Sequence, residues 1–292
     1  MNRSDGNARF IAEVSSNHHR DPARCLRFID AAADIGCAAV KFQLFRIDEL
    51  FAPEILARSP QHRARAAWEL PEDLLPALAE RCRARGVQFA CTPFHLGAVR
   101  ALEAHVDFYK IASYELLWDE LLAACAATGK PVVLSTGMAT LPEVLRAVGV
   151  LRAAGCDEPQ LLHCVSGYPA PAAECNLAAI ATLRAATGCA VGWSDHSVDA
   201  AVIRRAVLRW RAPLVEFHLD LDGRGEEYAA GHCWLPDAIG AVIAELAHGA
   251  TADGDGVKAP VPCERPDRDW RADPADGLRP LRAIRAGWRP QP

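Results

Sequence analysis

The sequence predicts an α/β protein, a (β/α)8 TIM barrel followed by an irregular C-terminal tail. Eight apolar runs of β type recur along the 292 residues, and Ala-, Leu-, Arg- and Glu-rich stretches with helical spacing lie between them. Eight strand–helix units in a chain of this length are typical of such a barrel. A doubly wound open sheet is the alternative, but no GxGxxG motif follows the first run to indicate a dinucleotide site.

The eight strands are predicted from runs that end in polar residues. They lie at 10–16, 38–45, 88–94, 107–113, 131–137, 160–166, 190–196 and 214–220. Helical spacing is clearest at 22–35, 71–85, 141–154, 175–186, 198–210 and 235–247. Glycines that end helices are expected shortly before the next strand, and Gly36, Gly86, Gly129, Gly155 and Gly188 occupy such positions.

Two regions interrupt this alternation. The insert at 46–70, after the second strand, is long and charged, and we expect an active-site lid or an oligomer contact there. From residue 251 the helical pattern stops and the chain becomes rich in Pro, Arg and Asp. We therefore assign 1–250 to the catalytic barrel and 251–292 to an irregular extension that packs on it.

Bulk composition excludes several classes of function. A net charge of −5 and a pI of about 6.1 give no reason to expect nucleic-acid binding. No apolar run approaches the ~20 residues that span a bilayer, and the N-terminus lacks the order of a signal peptide. Eleven cysteines occur singly without a CxxC pair. This pattern favours buried free thiols in a reducing cytoplasm over disulfides.

Two strand ends carry histidines that predict a metal site. Glu216 and His218 are two residues apart, so they share one face of an extended strand. His196 ends the preceding run, and the two histidines meet if these strands are adjacent. A pair that leaves open positions suits Mn²⁺, Mg²⁺ or Co²⁺, completed by substrate and water. Two hydrogen-bonding histidines without a metal remain the alternative.

Two lysines within apolar strands predict an anion site. Lys41 and Lys110 lie in sequences where burial is expected, and a buried lysine is costly unless an anion meets it. Strand-end hydroxyls accompany them and would suit a phosphate or a phosphorylated carboxylate. Structural pairing of the lysines is the alternative. His163, within a strand, is equally compatible with a satisfied core histidine and with a catalytic one.

Eight motifs, in order from about Phe10 to Lys258, resemble those of the sialic acid synthase family. They are Ile11-Ala12-Glu13-Val14 with Asn17-His18, Ala39-Val40-Lys41-Phe42-Gln43, Cys91-Thr92-Pro93-Phe94, Tyr109-Lys110-Ile111-Ala112-Ser113, Leu134-Ser135-Thr136-Gly137-Met138, Leu162-His163-Cys164 through Tyr168-Pro169, Ser194-Asp195-His196-Ser197 and Glu216-Phe217-His218. The resemblance implies a (β/α)8 barrel that condenses phosphoenolpyruvate with an amino-sugar aldehyde. The implied products are a 2-keto acid and phosphate, and a divalent metal is required.

The resemblance also implies residue roles. The metal would be held by His196 and His218, with Mn²⁺ first and Mg²⁺ or Co²⁺ as alternatives, and it would polarise the aldehyde oxygen. Proton transfer and water orientation would fall to Glu13 and Glu216, with His218 as a further catalytic group. Phosphoenolpyruvate would be held by Lys41, Thr92, Lys110, Ser113, Ser135 and Ser194. The acceptor would contact Asn17, Gln43 and Tyr168.

Departures from the family concentrate on the acceptor side. The family usually continues into an antifreeze-like domain that supplies an arginine to the partner's sugar site, and we expect that arginine to be missing here. Ser166 stands for an asparagine, Phe217 for a basic residue, and 226–234 for a segment with a sugar-binding aspartate. We therefore expect an altered aldehyde acceptor. Candidate contacts are His19, Arg20, Arg224, Glu226, Glu227 and His232.

Several alternatives stay open at this point. A homodimer through barrel contacts and a separately encoded antifreeze-like partner are both compatible with the sequence, as is C–O cleavage of phosphoenolpyruvate without condensation. A non-catalytic barrel that binds ligand as a partner or regulator is a different class of function. A metal-dependent pyruvate aldolase is a third, although it would not need two buried lysines and several hydroxyls for a phosphate.

Overall fold

The computed structural model of the protein describes residues 8–289 and confirms the barrel. Eight parallel strands close in sequence order, each pairing with the next and the last with the first. The strands are β1 (Arg9–Glu13), β2 (Ala39–Leu44), β3 (Gln88–Pro93), β4 (Phe108–Ile111), β5 (Val132–Ser135), β6 (Gln160–Cys164), β7 (Val191–Asp195) and β8 (Leu214–His218). Seven of the eight predicted runs contain their strand, and β1 begins one residue before its run, at Arg9. The open-sheet alternative is wrong.

Helices cover the outside of the barrel. They are α1 (Pro22–Asp34), α2 (Leu75–Arg85), α3 (Leu96–Glu103), α4 (Asp119–Ala127), α5 (Leu141–Ala153), α6 (Ala179–Thr187), α7 (Ala200–Arg204) and α8 (Pro236–Ala250). Several predicted bounds differ. The stretch at 71–85 becomes an α-helix only from Leu75. The stretch at 175–186 becomes helical only from Ala179, and the stretch at 198–210 changes to a π-helical turn at Arg205–Arg209.

Short helices extend two of the loops at the carboxyl end of the barrel. After β2, the insert folds into helices at Ile47–Leu50, Pro53–Arg58 and Pro60–Ala64, then a 3-10 turn at Arg65–Trp68. After β8, the helix Glu226–Ala229 precedes α8. Further 3-10 turns lie at Glu72–Leu74, Ser113–Glu115 and Ala172–Glu174.

The sheet buries apolar side chains on both faces, as parallel barrels do. The outward face packs large side chains such as Phe42, Phe89, Trp193 and Phe217 against the helices. The inward face begins with an apolar layer near the amino ends of the strands. This layer contains Ile11, Ala39, Ala90, Phe108, Val133, Leu162 and Leu214, all buried. It closes the bottom of the barrel, so a ligand can enter only from the carboxyl ends of the strands.

From Thr251 onward, the chain forms a separate compact unit with little regular structure. It contains 3-10 turns at Pro262–Glu264 and Arg268–Trp270 and a short helix at Arg282–Arg285. Asp276 accepts hydrogen bonds from Arg282 and from both terminal nitrogens of Arg285. The rings of Trp270 and Trp288 meet edge to face. These contacts give the irregular segment an internal order of its own.

The cysteines are free thiols, and ten of the eleven are buried. Only Cys263, in the C-terminal unit, is exposed, so the prediction of buried thiols is confirmed for the barrel. No helix within residues 8–289 combines the length and the apolar character needed to cross a membrane.

Gly192 in β7 allows the close approach of β8 inside the barrel. A Cβ at this position would lie 2.2 Å from the carbonyl oxygen of Leu214 and 2.8 Å from Leu162 Cδ2. We expect Gly192→Ala to lower the free energy of unfolding by at least about 2 kcal/mol, because neither strand can move away cheaply. Chemical denaturation measures this loss.

The matched control is Gly149→Ala in α5, where a Cβ meets nothing within 4 Å. That change should be neutral or should stabilise by up to ~1 kcal/mol, since alanine favours a helix interior. Equal unfolding midpoints for the two variants would contradict the packing argument.

Candidate active site

A charged layer lies inside the barrel directly beyond the apolar one. Because side chains alternate along a strand, the residue two positions after each apolar residue also points inward. These second positions are Glu13, Lys41, Thr92, Lys110, Ser135, Cys164 and Glu216, and Ser194 joins them two residues after Gly192 in β7. All eight are buried. Seven of the eight, all except Cys164, are polar residues that the sequence predicts as site residues. The strand period therefore places them at one level of the barrel.

Two lysines and two glutamates in this layer form a linked ion-pair network. Lys41 Nζ lies 2.8 Å from Glu13 Oε2 and 3.7 Å from Glu216 Oε2. Lys110 Nζ lies 3.5 Å from Glu216 Oε1 and donates to Ser135 Oγ at 2.7 Å. The lysines are thus paired with protein carboxylates, yet Glu216 is at the edge of bonding distance from both. Its Oε2 atom accepts no hydrogen bond within residues 8–289.

The pKa shifts of these groups follow from burial and pairing. Burial lowers the pKa of Lys110 below its ordinary value, and Glu216 offsets this only in part. For Lys41, the carboxylates of Glu13 and Glu216 outweigh burial and raise the pKa. Burial alone would raise the pKa of Glu216, but Lys110 and Lys41 together hold it well below the usual range.

Two histidines and a tyrosine lie at the next level toward the carboxyl ends of the strands. The ring centroids of His196 and His218 are 5.3 Å apart, so the predicted pair does meet. Tyr168 stacks on His196 at 4.2 Å and lies 5.9 Å from His218. His196 Nδ1 contacts the carbonyl oxygen of Val165 at 2.7 Å. Its pKa falls to about 3 because of burial and the nearby His218.

The loop after β8 adds further metal-ligating groups beside His218. Ligand atoms of His218, Glu227, His232 and Cys233 all lie within 4.8 Å of one another. Glu227 Oε2 is 2.9 Å from His218 Nδ1 and 3.4 Å from His232 Nε2. Its other oxygen accepts hydrogen bonds from the backbone N–H and the hydroxyl of Ser16. Burial opposes ionisation of Glu227, but bonds with His218 and His232 keep its pKa low.

The residue types and spacing of this loop fit a divalent cation. Nδ1 of His196 contacts the carbonyl oxygen of Val165, and Nδ1 of His218 contacts Glu227. These contacts orient each ring and make Nε2 the nitrogen that would offer its lone pair to a metal. An imidazole whose second nitrogen contacts a carboxylate is the usual arrangement for a metal ligand. Nδ1 of His232 is buried without a partner within residues 8–289. Imidazole, carboxylate and thiol donors suit a transition metal.

These side chains line a single cavity of about 700 Å³. The barrel contributes Glu13, Lys41, Gln43, Lys110, Ser113, Ser135, Ser194, His196, Glu216 and His218, and the loops add Tyr168, Glu227 and His232. The insert after β2 forms another wall with Leu50, Phe51, Arg65 and Trp68. This placement is compatible with the active-site lid, one of two alternatives predicted from the sequence, and both the lid and the oligomer contact stay predictions.

Some candidates lie outside the cavity wall. Thr92 is buried behind Lys41 and accepts a hydrogen bond from it at 3.3 Å. Asn17 is also buried, and its amide donates to the carbonyl oxygen of Leu219, so it ties two loops together. Exposed side chains away from the lining are His19, Arg20, Arg224 and Glu226. His163 is a core histidine that contacts the carbonyl oxygen of Cys175 and the ring of Trp193.

Sequence reasoning missed several lining residues. Cys164 follows the strand alternation and could have been placed by it, whereas Arg65 and Trp68 line the cavity from a loop without a periodic signal. Cys233, which lies beside His218 among the metal-ligating groups, was also missed. Glu115 follows Ser113 in a 3-10 turn and is buried in the cavity wall. Burial raises its pKa to about 7, although Lys110 and Lys41 act in the opposite direction.

A closed parallel barrel with this inner layer belongs to the class of (β/α)8 barrels, in which functional sites lie at the carboxyl ends of the strands. Within that class the chain belongs to the NeuB family, whose model matches residues 28–258. It is 33% identical over 257 residues to the spore coat polysaccharide biosynthesis protein SpsE of Bacillus subtilis, covering 82% of this chain and 69% of that protein. The N,N'-diacetyllegionaminic acid synthase of Campylobacter jejuni is 31% identical, with 85% and 78% covered.

Solved structures show the same fold. The N-acetylneuraminic acid synthetase of Leptospira borgpetersenii, in complex with citrate, aligns with a TM-score of 0.78 at 30% identity, over 89% of this chain and 90% of that one. A truncated 3-deoxy-D-arabino-heptulosonate 7-phosphate synthase from Thermotoga maritima aligns at 0.66, over 86% of this chain and 89% of that one. Its identity is 14%, so it speaks for the fold alone.

Glu115 should make stability fall as pH rises. The folded protein binds a proton here up to about pH 7, whereas an unfolded glutamate releases it near its ordinary pKa. The stabilising contribution is therefore complete below the ordinary pKa and is lost as pH rises through 7. We expect Glu115→Gln to remove up to about 3 kcal/mol of this pH dependence between pH 5 and 8.

Urea unfolding at a series of pH values measures the effect. Glu120→Gln is the control, since Glu120 is exposed on α4 and takes part in no described ion pair. Parallel pH profiles for the wild type and Glu115→Gln would show that the carboxyl does not titrate in this window.

Proposed function

We propose that the protein condenses phosphoenolpyruvate with an aldehyde acceptor, giving a 2-keto acid and inorganic phosphate. The observation that supports this most is the buried network of two lysines and two glutamates, which lies among hydroxyls at the open end of a NeuB-family barrel. The relatives' names agree with it, because legionaminic acid synthase and N-acetylneuraminic acid synthetase describe enzymes that make sugar acids.

Lys41 and Lys110 would neutralise the phosphate and carboxylate of phosphoenolpyruvate. Hydroxyls of Ser113, Ser135 and Ser194 would donate hydrogen bonds to it, and Thr92 would hold Lys41 from behind. The network can accept such a ligand because Glu216 contacts each lysine only at 3.5–3.7 Å. The incoming anion would replace these long contacts with charge-assisted hydrogen bonds.

In the reaction, carbon 3 of the enolpyruvate forms a bond with the aldehyde carbon. Water adds at carbon 2, and the C–O bond to phosphate then breaks. The aldehyde oxygen gains a proton and the water loses protons, so the balance is phosphoenolpyruvate plus aldehyde plus water to keto acid plus phosphate. Glu13 and Glu216 would carry these protons, because both lie in the charged layer beside the lysines.

His196 and His218 would hold a divalent metal, with Mn²⁺ expected and Mg²⁺ or Co²⁺ as alternatives. When bound, the ion supplies Lewis-acid polarisation of the aldehyde oxygen. Glu227 orients His218 through Nδ1, and Tyr168 covers His196 by stacking. Gln43 and Tyr168 would position the acceptor, while Asn17 would act indirectly by holding the loop at Leu219.

Phosphate release from phosphoenolpyruvate with Mn²⁺, over a panel of aldehydes that includes N-acetylmannosamine, tests this function. We expect Glu216→Gln to reduce turnover ~10²–10⁴-fold while phosphoenolpyruvate affinity stays within a few-fold, because the change removes a proton carrier and keeps the shape. Glu226→Gln, at an exposed site, is the control. Binding of phosphoenolpyruvate without release for any aldehyde would instead support a non-catalytic barrel.

The orientation of His218 by Glu227 predicts a specific loss of metal affinity. We expect Glu227→Gln to weaken Mn²⁺ binding ~10–100-fold, since loss of a carboxylate behind a ligating histidine typically has that effect. Titration followed by the electron paramagnetic resonance of free Mn²⁺ measures it without turnover. Glu226→Gln should bind Mn²⁺ as the wild type does. Equal affinities for both variants would remove Glu227 from the metal site.

A further inference from the structure

The insert after β2 brings an arginine to the cavity that no strand pattern predicts. Arg65 begins the 3-10 turn Arg65–Trp68 and lines the same cavity as Lys110 and His196. It lies on a loop beyond the carboxyl end of β2, whereas Lys41 and Lys110 lie on strands inside the barrel. The cavity therefore has a cation in its loop wall in addition to the two in its floor.

Aromatic rings hold the guanidinium of Arg65 in place. Its Cζ atom lies 5.5 Å from the ring centroid of Phe51 and 5.3 Å from that of Trp68, and both rings line the cavity. Such contacts restrain a guanidinium by its faces and leave its N–H donors available in the plane. The side chain is half-buried, so its donors are partly removed from water without a fixed acceptor.

Arg65 differs from the other cations of the site because it has no acidic partner. Lys41 and Lys110 each contact a glutamate, while Arg65 takes part in no ion pair or hydrogen bond of its side chain within residues 8–289. Two other arginines of the insert are occupied. Arg46 pairs with Glu72 at 2.7 Å, and Arg63 donates to the carbonyl oxygen of Leu56.

A second arginine contacts the same loop from outside the lining of the cavity. Arg20, on the loop after β1, donates from Nη1 to the carbonyl oxygen of Ala66 at 3.0 Å, next to Arg65 in the chain. Arg20 is exposed and forms no ion pair within the described part of the chain. A second positive charge held near the loop of Arg65 adds to the potential that attracts anions toward it.

We propose that Arg65 binds an anionic group, a phosphate or a carboxylate, carried by the acceptor aldehyde. This inference rests on the proposed function and adds the substrate class to it. The floor of the barrel, with Lys41 and Lys110, takes phosphoenolpyruvate, and the loop wall takes the anionic end of the acceptor. A planar guanidinium suits both groups, since it can donate two parallel hydrogen bonds to either.

The experiment compares matched acceptors on the full-length protein with Mn²⁺. N-acetylmannosamine is the neutral acceptor, its 6-phosphate carries the phosphate, and N-acetylmannosaminuronate carries the carboxylate. Initial rates give KM for each acceptor and for phosphoenolpyruvate, and calorimetric titration of the same three sugars gives affinity without turnover. We expect the wild type to prefer an anionic acceptor, and the preferred member of the anionic pair names the group.

Arg65→Met should raise KM and Kd for that anionic acceptor ~10–100-fold, the effect typical of losing a hydrogen bond to a charged group. It should leave the neutral acceptor and the KM of phosphoenolpyruvate unchanged. Arg65→Lys keeps the charge and should retain part of the preference. Arg58→Met, at an exposed arginine of the same insert outside the cavity, is the control and should behave as the wild type does.

Three results would overturn the proposal. They are equal affinity of the wild type for neutral and anionic sugars, an unchanged preference in Arg65→Met, and a loss confined to phosphoenolpyruvate. Failure of the proposed function has a different signature. In that case no acceptor releases phosphate, while Arg65-dependent binding of the anionic sugar persists in the titration.

Discussion

Two lysines and two glutamates, buried together inside the barrel, form the constraint on which the site depends. Burying four charged groups costs several kcal/mol for each unless partners compensate. Glu13 and Lys41 form an ion pair at 2.8 Å, whereas Glu216 is shared between two lysines at longer distances. The network is electrically balanced without ligand and still incompletely bonded. Under the proposed function, the entering anion would replace the long contacts between Glu216 and the lysines.

The apolar layer beneath the charged groups shields the ion-pair network from water on that side. Residues such as Phe108, Val133 and Leu162 fill the barrel near the amino ends of the strands and exclude water from below. The same strands then turn polar two residues later, because the pleat returns the side chain to the same face. Stability and chemistry are thus separated along each strand, and the charged layer has solvent on one side only.

The loops after β2 and β8 supply the side chains that surround the cavity above the charged layer. The β8 loop brings Glu227, His232 and Cys233 close to His218. The carboxylate that orients His218 is that of Glu227, which lies in the segment 226–234 that departs from the family pattern. The β2 insert supplies another wall of the cavity, which is aromatic and cationic and contains Phe51, Arg65 and Trp68.

Sequence alone determined the barrel, because eight apolar runs with helical spacing between them leave few other ways to bury their surface. It also located Lys41, Lys110, Glu216 and His218, since period-two alternation assigns each to a face of its own strand. Only the tertiary structure decided which partners meet. Barrel closure decides that the lysines pair with Glu13 and Glu216. Loops without periodicity decide that Arg65 and Glu227 reach the cavity. Contacts between residues far apart in the chain leave no local pattern in the sequence, so they are recognised only in the folded structure.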